Sequence, residues 1–158
     1  MAGEYYEVEV GGKPMVVEYP DKVETGGISG CMGVGILNHK TKKGYLGHYI
    51  AEDKTSESLI NRAIHEAQDI SDLEVALAGN IPLNEEDVKL SGGDFYDTLK
   101  SHREHGKWAL EMVKSKGIDV KNIKNNLQIF PTEDSYGVFI DTELGIMQVK
   151  KEEIDDLS

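Results

Sequence analysis

The chain's one cysteine, Cys31, stands six residues after Thr25 and seventeen before His48, within the run Thr25-Gly-Gly-Ile-Ser-Gly-Cys-Met-Gly-Val-Gly35. A thiol with an ordinary pKa near ~8.5 is only slightly ionised at neutral pH, so nucleophilic chemistry needs a base beside it. An imidazole is the side chain suited to that work, and it needs a partner that fixes its tautomer. Thr25 can supply that partner if the glycine-rich segment folds back. The backbone of the same segment, with Gly27, Ser29, Gly30 and Gly33 as candidates, can offer N–H groups to an oxyanion. The competing reading is plain: a free cysteine in a small domain commonly serves as a buried hydrophobe, and glycines commonly mark turns or close packing.

Bringing Cys31 to His48 requires a hairpin. Met32 to Leu37 and Gly44 to Ile50 read as strands around the polar turn Asn38-His-Lys-Thr-Lys-Lys43,. A turn centred between Lys40 and Thr41 places Gly33 opposite His48 and Cys31 opposite Ile50, which makes Cys31 and His48 diagonal neighbours on one face. Met32, Val34 and Ile36 fill the other face, and Gly33 and Gly35 leave the cysteine's face nearly bare, with room for a substrate. A slip of one residue in register would undo this geometry.

The rest of the chain supplies an α+β frame. Tyr5 to Val10 and Met15 to Tyr19, joined by Gly11-Gly12-Lys13-Pro14, read as a first hairpin. Leu59, Ile60, Ala63, Ile64 and Ala67 form a helical stripe that Thr55 or Ser56 can cap. Leu73 to Ala78 reads as a buried strand, and 79–93 as loop, because Pro82 and Gly92-Gly93 break any period. A second helix runs from about Phe95 to Lys116, with Gly117 as its left-handed cap. Leu127 to Phe130, Tyr136 to Asp141 and Ile146 to Lys150 read as strands, the last two joined by Thr142-Glu-Leu-Gly145. Roughly nine strands and two main helices make an α+β layered sandwich, mainly antiparallel. Residues 1–150 read as a single domain and 151–158 as an acidic tail.

Composition narrows the possible partners. A length of 158 residues suits one domain with a real core, and a net charge of -12 disfavours nucleic acid and anionic membrane surfaces,. A lone cysteine and an N-terminus without a secretory pattern favour a reducing cytoplasm, and no apolar run is long enough to cross a bilayer. Metal sites receive little support. His102, Glu104 and His105 share helical spacing but lack a further ligand and read as a solvated face, while Asp69 stands where a zinc-protease pattern starting at His65-Glu66 needs histidine. Cys31 and His48 alone are too few for structural zinc, and no cofactor motif is present: Gly33-x-Gly35 lies within a strand, not before a helix.

At Thr25, the Gly-rich run ending in Cys31, and Gly47-His48, the chain resembles the CheD family of chemoreceptor glutamine deamidases, and more distantly the deamidase domains of cytotoxic necrotizing factor toxins. The likeness extends weakly over roughly residues 20–150, through Leu77-Ala-Gly-Asn80, His105 to Gly117 and the closing stretch Tyr136 to Lys150. Tyr49-Ile-Ala-Glu-Asp53, Gly79-Asn-Ile81 and the segment 80–95 depart from that family's pattern. The resemblance implies an α/β/β fold with Cys31 as nucleophile, His48 as general base and Thr25 as orienting residue. It implies conversion of a glutamine side chain on a protein partner, with a chemoreceptor as one candidate, to glutamate and ammonia without a cofactor, and leaves room for a regulatory protein partner. Two other readings share these residues: a catalytically silent binding module, and transfer of the acyl group to an amine.

Overall fold

A computed structural model describes residues 3–50 and 52–152. Nine strands lie in two sheets. They are β1 (Tyr5–Glu7), β2 (Met15–Glu18), β3 (Lys22–Ile28), β4 (Met32–Asn38), β5 (Lys43–Tyr49), β6 (Leu73–Gly79), β7 (Ile123–Leu127), β8 (Ser135–Asp141) and β9 (Ile146–Glu152). The helices are α1 (Ser56–Glu66), α2 (Glu85–Leu90) and α3 (Phe95–Ser115). One sheet has the order β2-β5-β4-β6-β7 and the other β1-β3-β8-β9. Only β1–β3 and β6–β7 pair in parallel. The architecture is the expected layered α+β sandwich, with one more helix.

The central strand β4 is buried along its whole length. Met32, Val34 and Ile36 turn toward α1 and α3, packing with Tyr45, Leu59, Ile60, Val75, Leu77, Ala109 and Val113. Leu37 turns the other way and meets the four-stranded sheet through Val23, Ile28, Val138, Ile140 and Met147. Burying an aliphatic side chain of this size contributes about 1.5–3 kcal/mol, so the two faces of this one strand anchor all three layers. Helix α3 closes as expected, with Gly117 at a φ of +96°,. Among the described residues no helix is long and apolar enough to cross a membrane.

The β4–β5 ladder has the register read from the turn, Gly33 opposite His48 and Gly35 opposite Leu46. The bare glycine face, however, holds no room for substrate. A methyl group on Gly33 would sit 2.4 Å from Ile28 Cδ1, and one on Gly35 3.0 Å from Met147 Sδ. These glycines let the second sheet's side chains descend onto the first. Gly33→Ala is therefore expected to destabilise the fold by about 1–3 kcal/mol through overpacking, measured by urea denaturation.

Five other expectations change. Tyr5–Glu7 and Met15–Glu18 do not pair with each other: β1 joins β3, and β2 joins β5 in the other sheet. The glycine-rich run begins as a strand, since β3 carries Thr25 and irregular pairing with β8 falls between Thr25 and Ile28. The loop 79–93 contains α2, begun by the Asn84 side chain accepting from the Asp87 N–H, a cap that outweighs the flanking Pro82 and Gly92. The strand expected at Leu127 to Phe130 lies earlier, at Ile123–Leu127. Of the acidic tail, Lys151 and Glu152 belong to β9 and 153–158 lie outside the described residues.

Candidate functional site

The site forms where β3, β5 and the turn from β3 into β4 converge at one edge of the sandwich. His48 points into the space between the sheets because it faces Gly33, and there it meets Thr25 of β3. Thr25 Oγ1 lies 2.8 Å from His48 Nδ1. The same hydroxyl donates to the Val8 carbonyl at 2.7 Å. A threonine has one hydroxyl proton, and it is used on Val8, so the imidazole must donate from Nδ1–H to Thr25 Oγ1. That proton count fixes the tautomer and leaves Nε2 with the basic lone pair. Nε2 is buried and has no hydrogen-bond partner among the described residues.

Cys31 occupies the bend just before β4, partly exposed. Its carbonyl accepts from the Asn80 N–H at 2.7 Å, and the Ser29 carbonyl accepts from the Ile81 N–H at 2.8 Å. The end of β6 thereby pins both sides of Gly30. Gly79, at φ +85°, and Asn80, at φ +52°, turn the backbone so that these two N–H groups face the cysteine segment. Thr25, Cys31 and His48 border one cleft of about 710 Å³, together with Glu7, Val8, Glu9, Val10, Glu24, Gly26 and Gly27. His48 also borders a neighbouring cleft of about 530 Å³, whose lining includes Lys13, Tyr49, Asp53 and Arg62.

Burial pushes the Cys31 thiol above its ordinary value, and burial lowers His48, against a smaller upward pull from Glu152. Each of these shifts favours the neutral form of its group.

The four oxyanion candidates separate. Gly27 N–H is taken by Glu152 Oε1 at 3.0 Å. Gly33 is buried within β4, opposite His48. Ser29 is exposed and Gly30 partly so. The backbone N–H groups of Gly30 and Cys31 have no acceptor among the described residues.

Two sets of residues near the site escaped the sequence reading. Glu152, assigned to the acidic tail, completes β9 and accepts from the Gly27 N–H; its carboxylate fills the space above Gly26 and Gly137. His102 and His105, read as a solvated face, are buried. Asn80 Nδ2 donates to the His102 carbonyl at 2.7 Å, and Gly106, without a side chain, admits that amide against α3. Gly106 inside an otherwise good helix was the available signal. Burial pushes both imidazoles down, against an upward pull from Glu52. Among the described residues no group of three or more histidine, cysteine, aspartate or glutamate side chains is placed to hold a metal ion.

No family model matches the chain. No curated protein matches it either. Three solved structures resemble it. YfiH of Bacillus licheniformis, described as a hypothetical protein, is 12% identical with a TM-score of 0.47, over 76% of this chain and 51% of its own. YlmD of Geobacillus stearothermophilus is 9% identical with a TM-score of 0.45, over 80% of this chain and 60% of its own. NMB0706 of Neisseria meningitidis, described with the family model DUF152, is 10% identical with a TM-score of 0.41, over 80% of this chain and 62% of its own. The chain thus spans between half and about three-fifths of the length of these proteins.

These findings overturn the CheD resemblance: the structural neighbours are of the YfiH, YlmD and DUF152 kind, and none is described as a chemoreceptor deamidase. Glutamine deamidation, the chemoreceptor substrate and the link to chemotaxis fall with it. The resemblance rested mainly on the spacing of Thr25, Cys31 and His48 and on the closing hairpin Tyr136 to Lys150.

Proposed function

We propose that Cys31, His48 and Thr25 form a thiol acyl-transfer site in a cysteine-dependent hydrolase. The observation that carries this reading is the double use of the Thr25 hydroxyl, which leaves His48 Nε2 as a buried, unpartnered base in the cleft that Cys31 borders. In the reaction, Cys31 Sγ attacks a substrate carbonyl carbon as its proton passes to Nε2. The resulting imidazolium returns that proton to the leaving group as the bond to it breaks, giving a thioester. Water, deprotonated by the same Nε2, then cleaves the thioester and restores the thiol. The amides of Gly30 and Cys31 are the donors for the oxyanion, in place of Gly27 and Gly33.

The test uses p-nitrophenyl acetate as a probe, following nitrophenolate release and the acetyl adduct on Cys31 by mass spectrometry. Acylation should vanish in Cys31→Ala. Thr25→Val keeps the shape and strands the Nδ1 proton, so the rate should fall about 10- to 100-fold, and Thr25→Ser should restore it. Acylation of Thr25→Val at the wild-type rate would refute the reading.

A further inference from the structure

The cleft that holds Cys31 and His48 is acidic on one side. Glu7, Glu9 and Glu24 line it, and no lysine or arginine does. Glu7 and Glu24 are direct partners across the parallel β1–β3 pair. Like charges placed opposite each other on adjacent strands destabilise a sheet. Among the described residues none of the three carboxylates makes an ion pair. Lys150 lines the adjoining cleft with Glu24 and Glu152 and pairs with none of the three. The glutamates are thus an uncompensated cost to folding at the rim of the one cleft that Cys31 borders among those described.

A second, independent feature borders the same space. His48 is 97% buried, its exposure being 3%, and among the described residues its Nε2 has no partner. An unsatisfied buried nitrogen and an unneutralised row of carboxylates in one cleft are complementary to a single kind of ligand: a polar reacting group at one end and a positive charge at the other.

We infer that the cleft takes an acyl substrate bearing an alkyl cation, ammonium or guanidinium, with the charge against Glu7, Glu9 and Glu24 and the carbonyl at Cys31. This rests on the reading of Cys31 and His48 as the reacting pair, which places the carbonyl; the cation preference stands on the glutamates. Sheet edges also carry such charge clusters as solubility devices, and a solubility device would distinguish no ligand.

The decisive comparison uses two isosteres that differ in charge. Binding of Nα-acetyl-lysine amide and Nα-acetyl-norleucine amide to the Cys31→Ala protein is measured by calorimetry or by NMR shifts of His48, at low and high salt. The lysine compound should bind about tenfold more tightly at low ionic strength, an advantage that salt erodes and that Glu7→Gln/Glu24→Gln abolishes. Because that double change removes a like-charge pair, it should also raise the denaturation midpoint, so loss of binding cannot be laid to unfolding. The same lysine within Ala-Ala-Lys-Ala-Ala separates a peptide from a small-molecule source, and tighter binding of either than of its norleucine counterpart supports the inference. Equal binding of lysine and norleucine compounds, binding of neither, or a lysine advantage that survives the double change overturns it. The methyl esters of the same compounds, given to the wild-type protein, report the chemistry separately. A lysine-selective cleft with an unreactive thiol would retain the inference and refute the hydrolase.

Discussion

Gly79→Ala is expected to cost the fold about 2–5 kcal/mol and to disorganise Cys31 at the same time. The residue sits at φ +85°, where an L side chain costs about 1–2 kcal/mol. The added methyl would lie 2.3 Å from Ile28 Cγ2 and 2.6 Å from the Cys31 carbonyl oxygen. Ile28 is wholly buried, and a backbone carbonyl cannot swing aside as a flexible side chain can, so overpacking adds about 1–3 kcal/mol. The displaced carbonyl is the one that accepts from Asn80. Relief of the clash therefore pulls on the segment that presents the thiol. Urea denaturation should show the stability loss, and the acylation rate of the folded fraction should fall with it. Gly92→Ala is the comparison: it has a similar positive φ of +78° but no neighbour within 4 Å of an added methyl, so it carries the strain without the clash. Equal losses in both variants would reduce the Gly79 effect to backbone strain and remove its link to Cys31.

This position also shows where sequence reasoning stops. Local signals found β4, β5, α1, β6, α3, β8 and β9, because each has a clear apolar period or a turn residue at its end. They also gave the register that puts His48 opposite Gly33, since a hairpin's pairing follows from its own turn. They did not say what would lie over Gly33 and Gly35. That depends on Ile28, Val138 and Met147 arriving from distant parts of the chain, and a bare strand face reads alike whether a ligand or another sheet covers it. The first hairpin failed for the same reason: two short alternating segments around Gly-Gly-Lys-Pro satisfy the local rule, yet each finds a better partner in a different sheet. For His102 and His105 the local signal was Gly106 alone, and its meaning depends on Asn80, a contact spanning more than twenty residues. Thr25 was named from its spacing, but its mechanism needed Val8. The doubly used hydroxyl that sets the imidazole's tautomer depends on Val8 lying beside β3, a pairing that the sequence did not reveal.

His48→Ala is expected to lower the acylation of Cys31 by p-nitrophenyl acetate about 10²–10⁴-fold, the range for loss of a positioned general base. The more telling result is the pH dependence of the unmutated protein. Burial lowers the His48 pKa, so the imidazole stays neutral, and basic, to lower pH than a free histidine. Acylation should persist as pH falls through ~6.5 and fail only below it. Burial raises the Cys31 pKa, so alkylation by iodoacetamide, which needs thiolate already formed, should have its midpoint above ~8.5 and be slow at neutral pH. A pair that works by proton transfer during attack thus separates the two midpoints, one for the base and one for the free thiol. A preformed thiolate–imidazolium pair would instead keep iodoacetamide reactive well into acid, and that result would reverse the assignment of charge. Glu152→Gln sharpens the test. Its carboxylate pulls the His48 pKa upward, so its removal should move the acid limb of acylation to still lower pH. The alkylation midpoint should stay in place, because the rise at Cys31 comes from burial. Movement of both limbs together would mean that the two groups titrate as one coupled unit, and His48 could then no longer be treated as a base independent of the thiol it serves.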